Sequence, residues 1–317
     1  MSAPVPFTPT RAVEVQDETA RFFMSEAGVE FMRGIIKART EDNYETLFTE
    51  AGKRAAFELR VMMGARTYFV TQDMLEVAEH AARSMPAQPM VDTDMPCPTG
   101  FVVFERALPM PDVHGKLLAF VAFSWSIIID SDGVRGTAWT YYGDATDGRD
   151  EYLADMPWQW KVTRLLYIGE NSEGFGMGEN APEVTAERYG IDTERVVEAR
   201  VYMRRLPLAL WALMQSEGVA SVTEERADRA ARRRLVKSNS PLTGEVSVVR
   251  LRRPHHDSDA SGESAVEWSR RWIVSGHWRR AWRPSVKAHR LTWIAPFVKG
   301  PEDKPLVIPR RVHVLDR

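Results

Sequence analysis

The densest group of chemically capable side chains lies in residues 271–282. It reads Arg271-Trp272-Ile273-Val274-Ser275-Gly276-His277-Trp278-Arg279-Arg280-Ala281-Trp282, and is followed beyond Pro284 by His289, Arg290, Trp293 and Ile294. Read as a strand, this segment puts Ser275, His277 and Arg279 on one face and Trp272, Val274, Trp278 and Arg280 on the other. With a partner strand over residues 289–297, one sheet face can gather two histidines and two or more arginines. One chemistry open to such a face is metal-independent RNA cleavage of a toxin-like kind. One of His277 and His289 would take the 2′-OH proton, the other would protonate the leaving oxygen, and Arg279 would stabilise the phosphorane. The other is binding alone, with Trp278, Trp293, Arg280 and Arg290 stacking on bases and holding phosphates. A third reading assigns the tryptophans to the core and the arginines to a solvated edge.

A second basic group is the run at residues 229–237, with Arg232, Arg233 and Arg234 at its centre. A helix there can lie along a phosphate backbone or present an ordinary solvated face. Residues 194–215 also read as a helix, bent at Pro207, and Gly218 sits in the connection, so the pair is compatible with a helix-turn-helix. Other groups lack the spacing their chemistry needs. The sequence Gly174-Phe175-Gly176-Met177-Gly178 has no phosphate-loop lysine. His255, His256, Asp257 and Asp259 crowd one polar loop. Asp144, Asp147, Asp150 and Glu151 lack the glycine and final glutamate of a calcium loop. No metal site and no cofactor are expected. The one cysteine, Cys97 between Pro96 and Pro98, excludes an internal disulfide and a cysteine-based zinc site, and reads as an inert loop thiol.

These groups need a scaffold. Helical spacing marks residues 19–36, 41–63 and 72–84, the last with Thr71 as N-cap. Strands follow at 101–104, 116–129 and 134–142, with the turn Asp130-Ser131-Asp132-Gly133 between the last two, which predicts an antiparallel meander. Residues 158–168 read as another strand and 170–182 as loop. Residues 223–237 read as a polar, basic helix, and strands are expected at 245–253, 270–282, 289–297 and 312–315. The predicted class is α+β: a helical N-terminal part, an antiparallel sheet, a helical connection and a basic C-terminal antiparallel sheet.

Charge divides the chain more sharply than its formal net of −2 suggests. Residues 226–317 hold 21 Lys and Arg against 9 Asp and Glu, leaving residues 1–225 with 21 against 35. Three parts are therefore expected: a flexible N-terminus at 1–12, an acidic α+β body at 13–225 and a basic Trp/Arg-rich module at 226–317. RNA or DNA suits the basic module through counterion release, and a protein partner suits either charged face. The longest apolar run, residues 117–129, is too short for a membrane helix, and the first residues do not resemble a signal peptide. No membrane partner is expected, and a cytoplasmic location is.

The residues Val274-Ser275-Gly276-His277-Trp278-Arg279, Pro284-Ser285, His289-Arg290, Trp293-Ile294-Ala295-Pro296 and Val298-Lys299-Gly300-Pro301-Glu302-Asp303 form a recognisable C-terminal pattern. It resembles the signature of uncharacterised proteins from actinobacteria and their phages or mobile elements. Pro98-Thr99-Gly100-Phe101-Val102-Val103-Phe104-Glu105 resembles a stretch of the same group. The resemblance implies a phage or mobile-element setting and no particular activity. The leading expectation is a nucleic-acid-binding protein acting through its basic C-terminal module. A ribonuclease using His277, Arg279 and His289 is the alternative, and a structural or protein-interaction protein is the third.

Overall fold

In the computed structural model the chain runs α1 (Pro9–Met24), α2 (Glu26–Lys37), α3 (Tyr44–Gly64), β1 (Arg66–Val70), α4 (Gln72–Arg83), β2 (Thr99–Pro111), β3 (Leu117–Ile129), β4 (Arg135–Asp144), β5 (Leu165–Glu173), α5 (Thr193–Met214), β6 (Ala220–Arg226), α6 (Arg229–Lys237), β7 (Glu245–Leu251), β8 (Arg271–Val274), β9 (His277–Arg283), β10 (Ala288–Ile294), β11 (Phe297–Lys299) and β12 (Leu306–Val307). The structure describes residues 6–37, 44–86, 94–111, 117–129, 135–144, 165–173, 193–216, 218–252, 271–274, 276–283, 287–294, 297–299 and 306–307. The sequence groups at 174–178 and 255–259, the acidic residues 147–151 and the expected strand at 312–315 lie outside them.

The α+β class holds, and the meander is present. The main sheet has seven strands in the order β5-β4-β3-β2-β1-β7-β6. It is mixed rather than antiparallel, because β1 runs parallel to both β2 and β7 while the other pairs are antiparallel. Strand β1 carries no alternation that would reveal it. Thr67 to Val70 are all buried, as befits a central strand covered on both faces. Helix α4 starts two residues after β1 and makes the crossover to β2. Pro109 and Pro111 sit in the part of β2 that extends past Phe104, the last residue paired with β1, so their missing N–H groups interrupt no ladder on that side.

Alternation along the strands sends side chains to two cores. Phe69, Phe101, Val103, Val246 and Val248 meet α1, α2, α3 and the inner side of α6. Tyr68, Val70, Val102, Phe104, Trp125, Trp139 and Val249 meet α4 and α5 on the other side, and Leu291 and Trp293 of β10 join that layer. Gln16 of α1 ties the first layer together. Its buried amide donates to Met62 O at 2.7 Å and Ala65 O at 2.9 Å, carbonyls at the end of α3, and its Oε1 accepts from Thr67 in β1.

Several local expectations need correction. The stretch expected to be flexible, 1–12, contains buried Phe7 and the start of α1, whose first turn Thr8 caps by accepting from Arg11 N at 3.1 Å. The helix expected over 19–36 is two helices, broken where Ser25 Oγ bonds to Phe22 O at 2.6 Å. The basic helix expected over 223–237 begins only at Arg229, after the Asp228 N-cap, and the residues before Ala227 form edge strand β6. That strand between α5 and α6 removes the helix-turn-helix reading. Strand β5 continues to Glu173, into the stretch expected as loop. The main sheet also crosses the charge boundary at 225–226, because β7 pairs with β1 in its centre.

Gly28 and Gly34 lie in the same helix but meet different surroundings. A Cβ on Gly28 would stand 2.3 Å from Phe22 O, a backbone atom that cannot move aside, whereas one on Gly34 would meet nothing within 4 Å. Gly28→Ala should therefore lower unfolding free energy by about 1–3 kcal/mol through overpacking. Gly34→Ala should raise it by about 0.4–1 kcal/mol, and urea unfolding of the two variants reads both signs.

Candidate nucleic-acid interface

Strands β9 and β10 form an antiparallel ribbon whose register settles which residues share a face. His277 pairs with Ile294, Trp278 with Trp293, Arg279 with Thr292, Arg280 with Leu291, Ala281 with Arg290, Trp282 with His289 and Arg283 with Ala288. The single strand expected over 270–282 is two strands. Strand β8 pairs instead with β11 and β12 in a separate sheet.

One ribbon face carries Trp278, Arg280, Trp282, His289, Leu291 and Trp293. The end holding Trp278 and Trp293 is an anchor. The two indoles meet edge to face at 5.3 Å, and Trp293 is 2% exposed. Trp293 also lies 5.9 Å from the His80 ring of α4, and Trp278 Nε1 donates to Ala81 O at 2.9 Å. Buried Trp293 is not placed to stack on a base, and half-buried Trp278 is held against α4 by its Nε1 bond, so both indoles pack where the sequence reading had them bind: a large apolar ring is stabilised more by a neighbouring helix than by solvent. Toward the other end the same face opens. Trp282 is 55% exposed, and His289 meets it at 5.3 Å with the rings inclined at 66°. Arg280 lies exposed beside them.

The opposite face carries His277, Arg279, Ala281, Arg283, Arg290 and Thr292. Arg279 is exposed and Arg290 half-buried, and they are diagonal neighbours across the ribbon, with Cβ atoms roughly 7–8 Å apart. Arg283 reaches Gln215 Oε1 at 3.4 Å, after the end of α5. Among the described residues, neither Arg279 nor Arg280 pairs with a carboxylate.

The register also separates the two histidines. His277 and His289 project from opposite faces and lie five pairs apart, roughly 17 Å along the ribbon. A general base and a general acid acting on one phosphodiester must both reach it. The constellation of His277, Arg279 and His289 expected for RNA cleavage is therefore not assembled.

The basic run lies elsewhere. Helix α6 buries Ala231 and Leu235 against the α1–α3 side of the sheet, the side away from the ribbon. Arg232 Nε is turned back to Ala227 O at 3.1 Å, and Arg234 Nε bonds Glu14 of α1 at 3.0 Å. Of the three arginines, Arg233 alone points outward without a bond of this kind among the described residues. Among the described residues, the run and the ribbon thus lie on opposite sides of the main sheet.

Two further polar groups are structural. Glu58 of α3, fully buried, accepts from Arg54 at 2.8 Å, Thr140 Oγ1 at 2.9 Å and the Tyr142 hydroxyl at 3.4 Å, which joins α3 to β4. Cys97 accepts from the Tyr68 hydroxyl at 3.5 Å and donates to Thr99 O at 3.2 Å. Burial pushes the Cys97 thiol up; the Tyr68 hydroxyl and the charge of Arg66 oppose this without reversing it. Among the described residues no His, Cys, Asp and Glu cluster could hold a metal ion, and no helix is long and apolar enough to cross a membrane.

What sequence reading missed is Trp282 and its pairing with His289. Alternation alone places Trp282 with Trp278 and Arg280; the signal that it differs from Trp278 is its distance from the anchor, which only the fold supplies.

No protein-family model and no curated protein matches this chain. A solved structure titled "Crystal structure of AcrVA2" is similar over 90% of this chain and 93% of that one, with 14% sequence identity and a TM-score of 0.36. At that level no residue role passes from one chain to the other.

The two ends of the ribbon should respond differently to truncation. Trp293→Ala should cost about 3–5 kcal/mol of stability, as for a large buried ring. Trp282→Ala should stay within about 0.5 kcal/mol, and denaturant unfolding of both variants compares them. Cys97 should be alkylated by iodoacetamide at pH 7.5 more slowly than a free thiol. Its raised pKa leaves less thiolate, and the rate should still be climbing at a pH where a free thiol has levelled off.

Proposed function

We propose that this protein binds nucleic acid through the open end of the β9–β10 ribbon, in the phage or mobile-element setting that its C-terminal signature implies. The observation that carries the reading is the combination of exposed Arg279 and Arg280 on opposite faces with the exposed Trp282–His289 pair. Arginine forks hold phosphates, and their weakly hydrated planes lie against bases as well. Placing arginine on both faces lets a backbone wrap the ribbon rather than touch one side. The site departs from the one read in the sequence. It keeps Arg280 and Arg290, takes Arg279 and His289 from the residues expected for cleavage, gains Trp282, and gives up Trp293 to the core, Trp278 to packing against it, and Arg232, Arg233 and Arg234, which lie on the far side of the sheet.

The test is binding of labelled RNA and DNA to the full-length chain at about 50 and 200 mM salt, the range in which phosphate contacts declare themselves. Affinity should fall steeply with salt. Arg279→Ala and Arg280→Ala should each weaken binding and reduce the slope of log K against log salt by about 1. Arg233→Ala, on the far side of the sheet, should change neither. Absence of binding at low salt, or a loss that follows Arg233 instead of the ribbon, would refute the reading.

A further inference from the structure

The ribbon's two ends differ in a way that bears on what kind of nucleic acid it takes. The face that carries Trp278 and Trp293 is closed by α4, yet four residues further on, roughly 14 Å along the strand, the same face exposes Trp282. An indole is seldom left this open, because its apolar area stabilises the fold when buried. The neighbouring His289 meets it edge to face, with the rings inclined at 66°, and leaves 55% of the residue exposed. Arg280, two residues away on the same face, supplies a cation next to this surface.

A base inside a duplex has both its π-faces occupied by neighbouring bases and shows a protein only its edge. Edges are read by hydrogen-bonding side chains, to which an indole face contributes nothing. An unpaired base has a free π-face, and aromatic side chains are the usual platform for it. We infer that the ligand of this site is a single-stranded nucleic acid, with one unpaired base stacked on Trp282 and its flanking phosphates held by Arg280 and, across the ribbon, Arg279. The inference rests on the binding reading above and adds the strandedness of the ligand and the residue that selects it.

The experiment compares four labelled probes of equal phosphate number on the full-length protein: an unstructured uridine-rich RNA, a thymidine-rich DNA, a duplex, and a strand of abasic sugar-phosphate units. The wild-type chain should bind the better of the two single strands about tenfold or more tighter than the duplex or the abasic strand, the size expected of one stacked base. The ratio of RNA to DNA affinity then identifies the sugar. Trp282→Ala should cost between about 5-fold and 150-fold on the base-bearing strand and leave the abasic strand unchanged. Trp282→Phe should recover most of the loss, which a merely electrostatic site would not show. Equal or tighter binding of the duplex, or a Trp282→Ala variant that binds single strands as wild type does, overturns the single-strand inference while leaving nucleic-acid binding in place. No binding of any probe at low salt overturns both.

Discussion

Five residues hold the two halves of the main sheet together. Strand β1 pairs in parallel with β2 on one side and β7 on the other, so without it the meander β2–β5 and the pair β6–β7 would be separate sheets. The ladder continues past its end, where Thr71 N donates to Val249 O at 3.1 Å. Parallel neighbours require a crossover, and α4 is that crossover. Because α4 supplies Ala81 and His80 to the indoles of the ribbon, the position of the C-terminal ribbon follows from how β1 and β2 are joined, some two hundred residues earlier in the chain.

The same sheet explains why, among the described residues, the large charge asymmetry of the sequence does not translate into one large basic surface. Arg234 pairs with Glu14 on one side of the sheet, and Arg66, Arg226 and Arg250 pair with Glu224, Glu245 and Glu225 along β6 and its neighbours. Exposed pairs of this kind are worth at most about 1 kcal/mol each, so their effect is on the outward field more than on stability. They draw positive charge from α6 and the β6 edge. The ribbon, on the opposite layer, keeps Arg279 and Arg280 without such partners among the described residues.

How much of this was legible in the sequence depended on period and length. Helices α3 and α4 repeat apolar residues at helical spacing over several turns, and β3 and β4 flank a strong turn signal, so both kinds of element could be read. Strand β1 could not: Arg-Thr-Tyr-Phe-Val is a short apolar run with no alternation, and a strand buried on both faces has none to show. Residues 223–226 read as the start of a helix because Thr223-Glu224-Glu225-Arg226 mixes charge and polarity as a surface helix does. An edge strand with one open side has the same composition. The candidate site was half legible. Residue types located the ribbon, but the faces depended on cross-strand register, which is not written in either strand alone. The pairing of His289 with Trp282, rather than opposite His277, turns an apparent two-histidine face into two unrelated positions.

The overhang of the ribbon beyond α4 also divides the labour between residues that stand only four apart. Trp278 and Trp293 answer to the interior: a change there is felt by every strand they brace. Trp282 and His289 answer to whatever approaches from outside, and the interior is indifferent to them. Descent with modification can therefore rewrite the tip while keeping the root. Distant kin of this chain could share the mounting and yet grip different things, so the tip is the part in which their individual histories would be recorded.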